Sequence, residues 1–138
     1  MKKIQAGRET GFGGGVLIFA IDTKKFLWIK RSRYGDEAGT WCCPGGGIED
    51  HETIEEGVHR ECAEEIGYAE KMQLMHMHRD VQPSFIYHNH IARIPAQFEP
   101  VLNEEHDDYK WSAMPPGRIH PGLERSILAW INRNHEHP

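Results

Sequence analysis

Glu61, Glu64 and Glu65 stand at positions i, i+3 and i+4 of the run Arg60-Glu61-Cys62-Ala63-Glu64-Glu65. On a helix this spacing projects three carboxylates from one side, within reach of a shared cation. All-oxygen ligation suits Mg²⁺, with Mn²⁺ as a substitute, rather than Zn²⁺, which prefers His and Cys. Glu65 falls beside Ile54 and Val58 on a helical wheel, at the seam of the acidic and apolar arcs, where an unneutralised carboxylate is poorly solvated. Taken alone, three glutamates read as a solvated acidic face, so their surroundings must decide. Upstream, Pro44-Gly45-Gly46-Gly47 can turn sharply and approach a ligand closely. Arg31 and Arg33, before that loop, are either phosphate contacts or plain surface charge.

The elements that must hold these residues are legible as a pattern. Val16 to Ile21 and Phe26 to Ile29 read as strands, the first preceded by the glycines of 11–15. Thr53-Ile54-Glu55-Glu56 is a capping box and Gly67 a stop, which predicts a helix between them. Ile54, Val58, Cys62 and Ile66 form its apolar face, directed to the core. Met72 to Arg79 and Ser84 to Pro95 read as strands around a turn at Asp80-Val81-Gln82-Pro83, and Tyr109 to Trp111 as another. Pro121 opens a last helix with Leu123, Ile127, Trp130 and Ile131 on one side. Strands, helix, strands and helix predict a single domain over 1–138, of α/β (α+β) class, with a mixed β-sheet between helices as an α/β/α sandwich.

Composition excludes several functions. With 16 Lys and Arg against 21 Asp and Glu, the net charge of -5 offers no basic face for stable nucleic-acid binding. No run approaches a membrane span, and Met1-Lys2-Lys3 is not followed by a signal-like apolar stretch, which leads us to expect a cytoplasmic protein. Cys42, Cys43 and Cys62 are odd in number and two are adjacent, as free structural thiols would be. None has an Arg six positions on, where a cysteine phosphatase carries one. The glycines of 11–15 lack a following Gly-Lys-Ser/Thr and so form no phosphate loop.

Gly46, five residues, Glu52, seven residues, then Arg60-Glu61-Cys62-Ala63-Glu64-Glu65-Ile66-Gly67-Tyr68 resembles the Nudix box, G-x5-E-x7-R-E-U-x-E-E-x-G-U, at every fixed identity. That spacing turns the acidic face into a cation site. The surrounding order of elements is also similar to the family's, so the likeness extends over nearly the whole chain. The resemblance implies a Nudix-like sandwich and Mg²⁺-dependent hydrolysis of a pyrophosphate bond in a nucleoside diphosphate linked to another group. It implies Glu61, Glu64, Glu65 and the Gly45 carbonyl as metal ligands, with Arg60 paired to Glu52 and orienting the carboxylates. The general base is Glu64 or, from a later loop, Glu105. Glu105 lies in Asn103-Glu104-Glu105-His106, similar to a Glu-His…Trp segment of many members.

Substrate contacts are expected from Arg31, Arg33, Gly46 and Tyr109, with Trp111, Trp41, Phe85 and Tyr87 as further aromatics for stacking or for the core. Cys62 and Tyr68 stand where the family usually has aliphatic residues, and His51 where it has glycine. Pro83, 16 residues beyond Gly67, is a weak marker of ADP-ribose hydrolases or an ordinary turn residue. Nucleoside triphosphates, dinucleoside polyphosphates and nucleotide sugars stay open, and the protein is a monomer or homodimer. A silent nucleotide sensor and an isoprenoid diphosphate isomerase are the rival readings. His76 with His78, and His88 with His90, are i,i+2 pairs that place both rings on one strand face, a weaker candidate for Zn²⁺ or Ni²⁺. His135 and His137 lie near the chain end.

Overall fold

The computed structural model describes residues 2–5 and 8–135, with side chains from 11 to 134, which leaves His135 and His137 outside the described side chains. In chain order the elements are β1 (Lys2–Gln5), β2 (Arg8–Ala20), β3 (Lys25–Arg31), β4 (Trp41–Cys42), β5 (Gly45–Gly47), α1 (Ile54–Ile66), β6 (Met75–Gln82), β7 (Phe85–Ile94), β8 (His106–Ser112) and α2 (Pro121–His135). The sheet runs β4-β3-β2-β7-β6, with β1 and β5 also paired to β2 and β8 to β3. β2 runs parallel to β7 from Gly11 opposite Phe85 to Ala20 opposite Ile94. The other pairings are antiparallel, so the sheet is mixed.

Successive strand residues face opposite sides, and this places the helices. A side chain at Gly14 would meet Val58 and Ile54 of α1. On the other face Asn89, in register with Gly15, donates to Ser126 Oγ of α2 at 2.8 Å. The helices therefore cover opposite faces, and the expected sandwich is the observed one. Val16, Leu17, Ile18, Leu27 and Ile29 are buried between them with Val58, Cys62 and Ile66. Fully burying each Val or Ile contributes about 1.5–3 kcal/mol.

α1 forms where the capping signals put it. The Thr53 side chain accepts from Glu56 N, the Glu56 carboxylate accepts from Thr53 N, and Gly67 closes the helix at φ 70°. Left-handed backbone of this kind disfavours any residue with a Cβ.

Several boundaries differ from the sequence reading. The glycines of 11–15 lie inside β2, not ahead of it, and Gly13 to Gly15 pair with Gly47 to Gly45 of β5. Bare backbones let β5 lie close against β2 beneath Tyr87, which a side chain at Gly45 would overlap. β6 continues through Asp80–Gln82, which the sequence assigned to a turn, and leaves only Pro83 and Ser84 to reverse the chain. Its start is at Met75 rather than Met72, which is buried outside the strand. β8 extends beyond Tyr109–Trp111 at both ends. In α2, Leu123 and Ser126 are buried and Ile127 and Trp130 pack partly buried against the core, but Ile131 is 53% exposed.

Two register shifts re-aim side chains. One, between His76 and His78, moves His78 to the α2 face, where its Nδ1 lies 3.0 Å from Ser126 Oγ. The expected one-face pairing of His76 with His78 is thus broken by a bulge, while His88 stays on the side of His76, with nitrogens 3.4 Å apart. The other shift leaves Asp107 as the extra residue, so that His106 stands opposite Arg31. Bulges of this kind turn side chains toward sites.

Candidate active site

Glu61 and Glu65 of α1 meet Glu105, from the loop before β8, with one oxygen of each within 4.8 Å of the others. Among the described residues this is the grouping able to hold a metal ion. Two local devices fix Glu105. Its backbone N–H donates to Asn103 Oδ1 at 3.1 Å while Asn103 Nδ2 donates to its carboxylate at 3.3 Å, and its carbonyl accepts from Ser32 N at 3.0 Å. Glu65 is buried to 1% exposure, with Oε1 accepting from Gly45 N at 3.2 Å and Oε2 without a partner. Burial pushes its carboxyl group well up, and the neighbouring Glu61 carboxylate adds to the rise. A hard divalent cation relieves both effects and suits an all-oxygen donor set, so these residues fit the metal that the sequence implies.

Arg60 braces the arrangement from beneath. Its Nε and Nη2 donate to Glu52, Nη2 at 2.7 Å, while Nη1 donates to Glu61 at 2.9 Å and Nη2 to the Gly47 carbonyl at 3.0 Å. The guanidinium fork ties the helix to the glycine loop through paired, charge-assisted bonds. It holds the Glu52 carboxyl down at about 2. Gly46 packs directly on Glu61, whose carboxylate lies 2.8–2.9 Å from where a Cβ would stand. Glu64 lies outside the cluster: it is 54% exposed and 3.3 Å from Arg60 Nη1.

Beside the carboxylates opens a cavity of about 260 Å³, whose wall includes Gly45, Glu105, Arg31, Phe85, Tyr87 and Asn89. Its wall also includes Asp80, whose carboxylate takes Arg125 Nη2 at 2.8 Å and Gln82 Nε2 at 3.3 Å. That pairing holds the Asp80 carboxyl below its usual range. His120, before α2, reaches the wall because Trp41 of β4 pairs with the chain at Arg118 and His120.

Of the residues singled out in the sequence, the structure brings together Glu61, Glu65, Glu105, Gly45 and Gly46 at one centre, with Arg60 and Glu52 beneath and Arg31, Phe85 and Tyr87 on the cavity wall. Arg33 instead stacks over Tyr34 at 5.2 Å, and Tyr109, Trp41 and Trp111 pack against the core rather than line the cavity. Sequence reasoning missed His106, Asn89, Gln82 and the Asp80–Arg125 pair. His106 carried one signal, adjacency to Glu105; the others carried none, because their meeting depends on strand register.

Comparison with known proteins places this geometry. A family model described as the NUDIX domain matches residues 11–130. A curated nucleoside triphosphatase NudI from Klebsiella pneumoniae (strain 342) is 34% identical over 88 residues, covering 53% of this chain and 61% of that protein. This chain therefore spans under two thirds of that relative's length. The crystal structure of a MutT NUDIX hydrolase from Burkholderia pseudomallei superposes with a TM-score of 0.66 at 27% identity, over 88% of this chain and 96% of the other. A MutT protein from Methanosarcina mazei Go1 shares the fold at a TM-score of 0.73 and 20% identity, over 94% and 99%. The chain belongs to the Nudix family.

Proposed function

We propose that this protein hydrolyses a nucleoside triphosphate at a pyrophosphate bond, with Mg²⁺ at the Glu61–Glu65–Glu105 cluster, releasing a nucleoside monophosphate and pyrophosphate. The observation that carries the reading is that Gly45 and Glu105 belong both to the carboxylate centre and to the wall of a nucleoside-sized cavity. A bound Mg²⁺ supplies charge neutralisation for the phosphates and a water of lowered pKa. The chain does the rest. Arg31 meets phosphate oxygens at the mouth, Phe85 offers a stacking face, and Asn89, held by Ser126, turns its remaining polar valences to the nucleoside. Glu105 takes the proton of the attacking water on the carboxylate oxygen that the cation leaves free, since it faces the cavity while Glu64 is drawn away by Arg60.

The likeness to a nucleoside triphosphatase favours triphosphates over ADP-ribose or dinucleoside polyphosphates. We place the protein in the cytoplasm, as monomer or homodimer, with a nucleotide and no nucleic acid as partner; no described helix is long and apolar enough to cross a membrane. The test is a panel of nucleoside triphosphates, ADP-ribose, dinucleoside polyphosphates and nucleotide sugars, incubated with Mg²⁺ in ¹⁸O water and followed by mass. Monophosphate and labelled product from triphosphates, abolished by chelator, is the expected result. Binding without cleavage would replace the reading by a nucleotide sensor, and a product of unchanged mass by an isomerase.

A further inference from the structure

We propose that His106 is a positioning residue for the cation site: its Nδ1 holds the Glu65 carboxylate in place, and Cys42 fixes the imidazole from its other side. The inference rests on the reading that Glu65 holds a divalent cation, and goes beyond it by assigning a task to two residues outside the box.

His106 is buried to 7% exposure, as is Cys42. Its Nε2 lies 3.7 Å from Cys42 Sγ, and its Nδ1 faces Glu65 Oε1 across 3.9 Å. The two buried side-chain atoms left without a hydrogen bond among the described residues are His106 Nδ1 and Glu65 Oε2. An orphaned buried polar group costs about 1–3 kcal/mol, so two on facing side chains mark an arrangement that something completes. A buried thiol keeps its proton and offers it to Nε2, which leaves the imidazole proton on Nδ1, aimed at the carboxylate. A shift of about 1 Å brings that contact to hydrogen-bond length. Oε1 then gathers two protein donors, Gly45 N–H and His106 Nδ1–H, and Oε2 is left for the cation.

The backbone is built for this. The bulge at Asp107 sets His106 opposite Arg31, and β4 pairs with β3 at Ile29–Cys42, so histidine and cysteine approach from either side of β3. Partners that orient a metal ligand typically change affinity by 10–100-fold when removed.

The experiment measures Mn²⁺ affinity by electron paramagnetic resonance on the nucleotide-free protein. His106→Leu is expected to weaken binding by about 10–100-fold, while His106→Asn, whose amide puts a donor where Nδ1 stood, stays near the parent value. Cys42→Ala should weaken binding several-fold and Cys42→Ser should not. Unchanged affinity in a folded His106→Leu protein overturns the proposal, and so does a His106→Asn protein as weak as the Leu variant, since packing alone would then be the role. If the Leu variant does not fold, the Cys42 pair decides, and equal affinities there overturn it. Glu65→Gln is the separate control: a variant that binds Mn²⁺ like the parent overturns the cation-site reading itself, whatever His106 does.

Discussion

Glu65 is held at 1% exposure beside another carboxylate, an arrangement that costs stability unless a cation is present. Glu65→Gln should therefore lower kcat/KM by at least about 100-fold while leaving Tm in chelator equal or higher, because the amide removes a repelled, poorly solvated acid. Steady-state kinetics and a melt in EDTA check this; an active variant, or one that melts much earlier, refutes the assignment. Arg60 makes the opposite case. Glu52 and Glu61 keep side-chain exposures of only 8% and 11% against it, so Arg60→Met strands two carboxylates and should cost about 2–4 kcal/mol in urea unfolding. A change under about 0.5 kcal/mol, the ordinary surface value, would mean that solvent screens them. Glu65 was legible because a period of 3.6 residues fixes its face from sequence alone. The contact of His106 with Glu65 was not, because it joins β8 to α1 through a register shift that no local pattern announces.

At the scale of elements, α1 was readable to its caps because its signals are local: Thr53 with Glu56, a four-residue apolar recurrence, and Gly67. β6 and β7 were readable as strands but not in their bulge, which splits His76 from His78 and leaves His76 against His88 and His90, with ring centroids 5.6 Å apart in each pair. The imidazoles of all three are held below their ordinary 6.5, first by burial; His90 and then Arg133, His78 and Arg79 lower His76 further, His76, His90 and Arg79 lower His88, and the Gly15 carbonyl and Glu55 partly oppose the fall at His90. A depressed histidine contributes stability that is complete above the unfolded value of 6.5 and is lost as pH falls through the folded value, because the unfolded chain takes up protons that the folded seam refuses. Urea midpoints should accordingly fall between about pH 7.5 and 5.5. His76→Asn with His88→Asn should flatten that slope without abolishing it, since His106 and His120 are depressed as well. An unaltered slope would show that the seam already admits water and protons.

Across the whole molecule, alternating patterns show which segments are strands but not which are neighbours. The parallel pairing of β2 with β7, and the meeting of α1 with the loop before β8, appear only in three dimensions. That topology would make a cation bound there a tie between parts of the chain that are far apart in sequence, Glu61 and Glu65 on a helix and Glu105 on a loop anchored to Ser32. A ligand that binds the folded state alone stabilises it by mass action, about 2.7 kcal/mol at a hundredfold excess over Kd. Mg²⁺ or Mn²⁺ should therefore raise Tm by several degrees in a concentration-dependent way, and chelator should reverse the rise. Because the unfolded chain scatters the three carboxylates, Glu65→Gln and Glu105→Gln should each shrink the rise, whereas Glu64→Gln, on an exposed side chain outside the cluster, should keep most of it. Equal loss in all three variants would mean that the cation settles on the acidic helix face as a whole, and that the buried cluster is not where it binds.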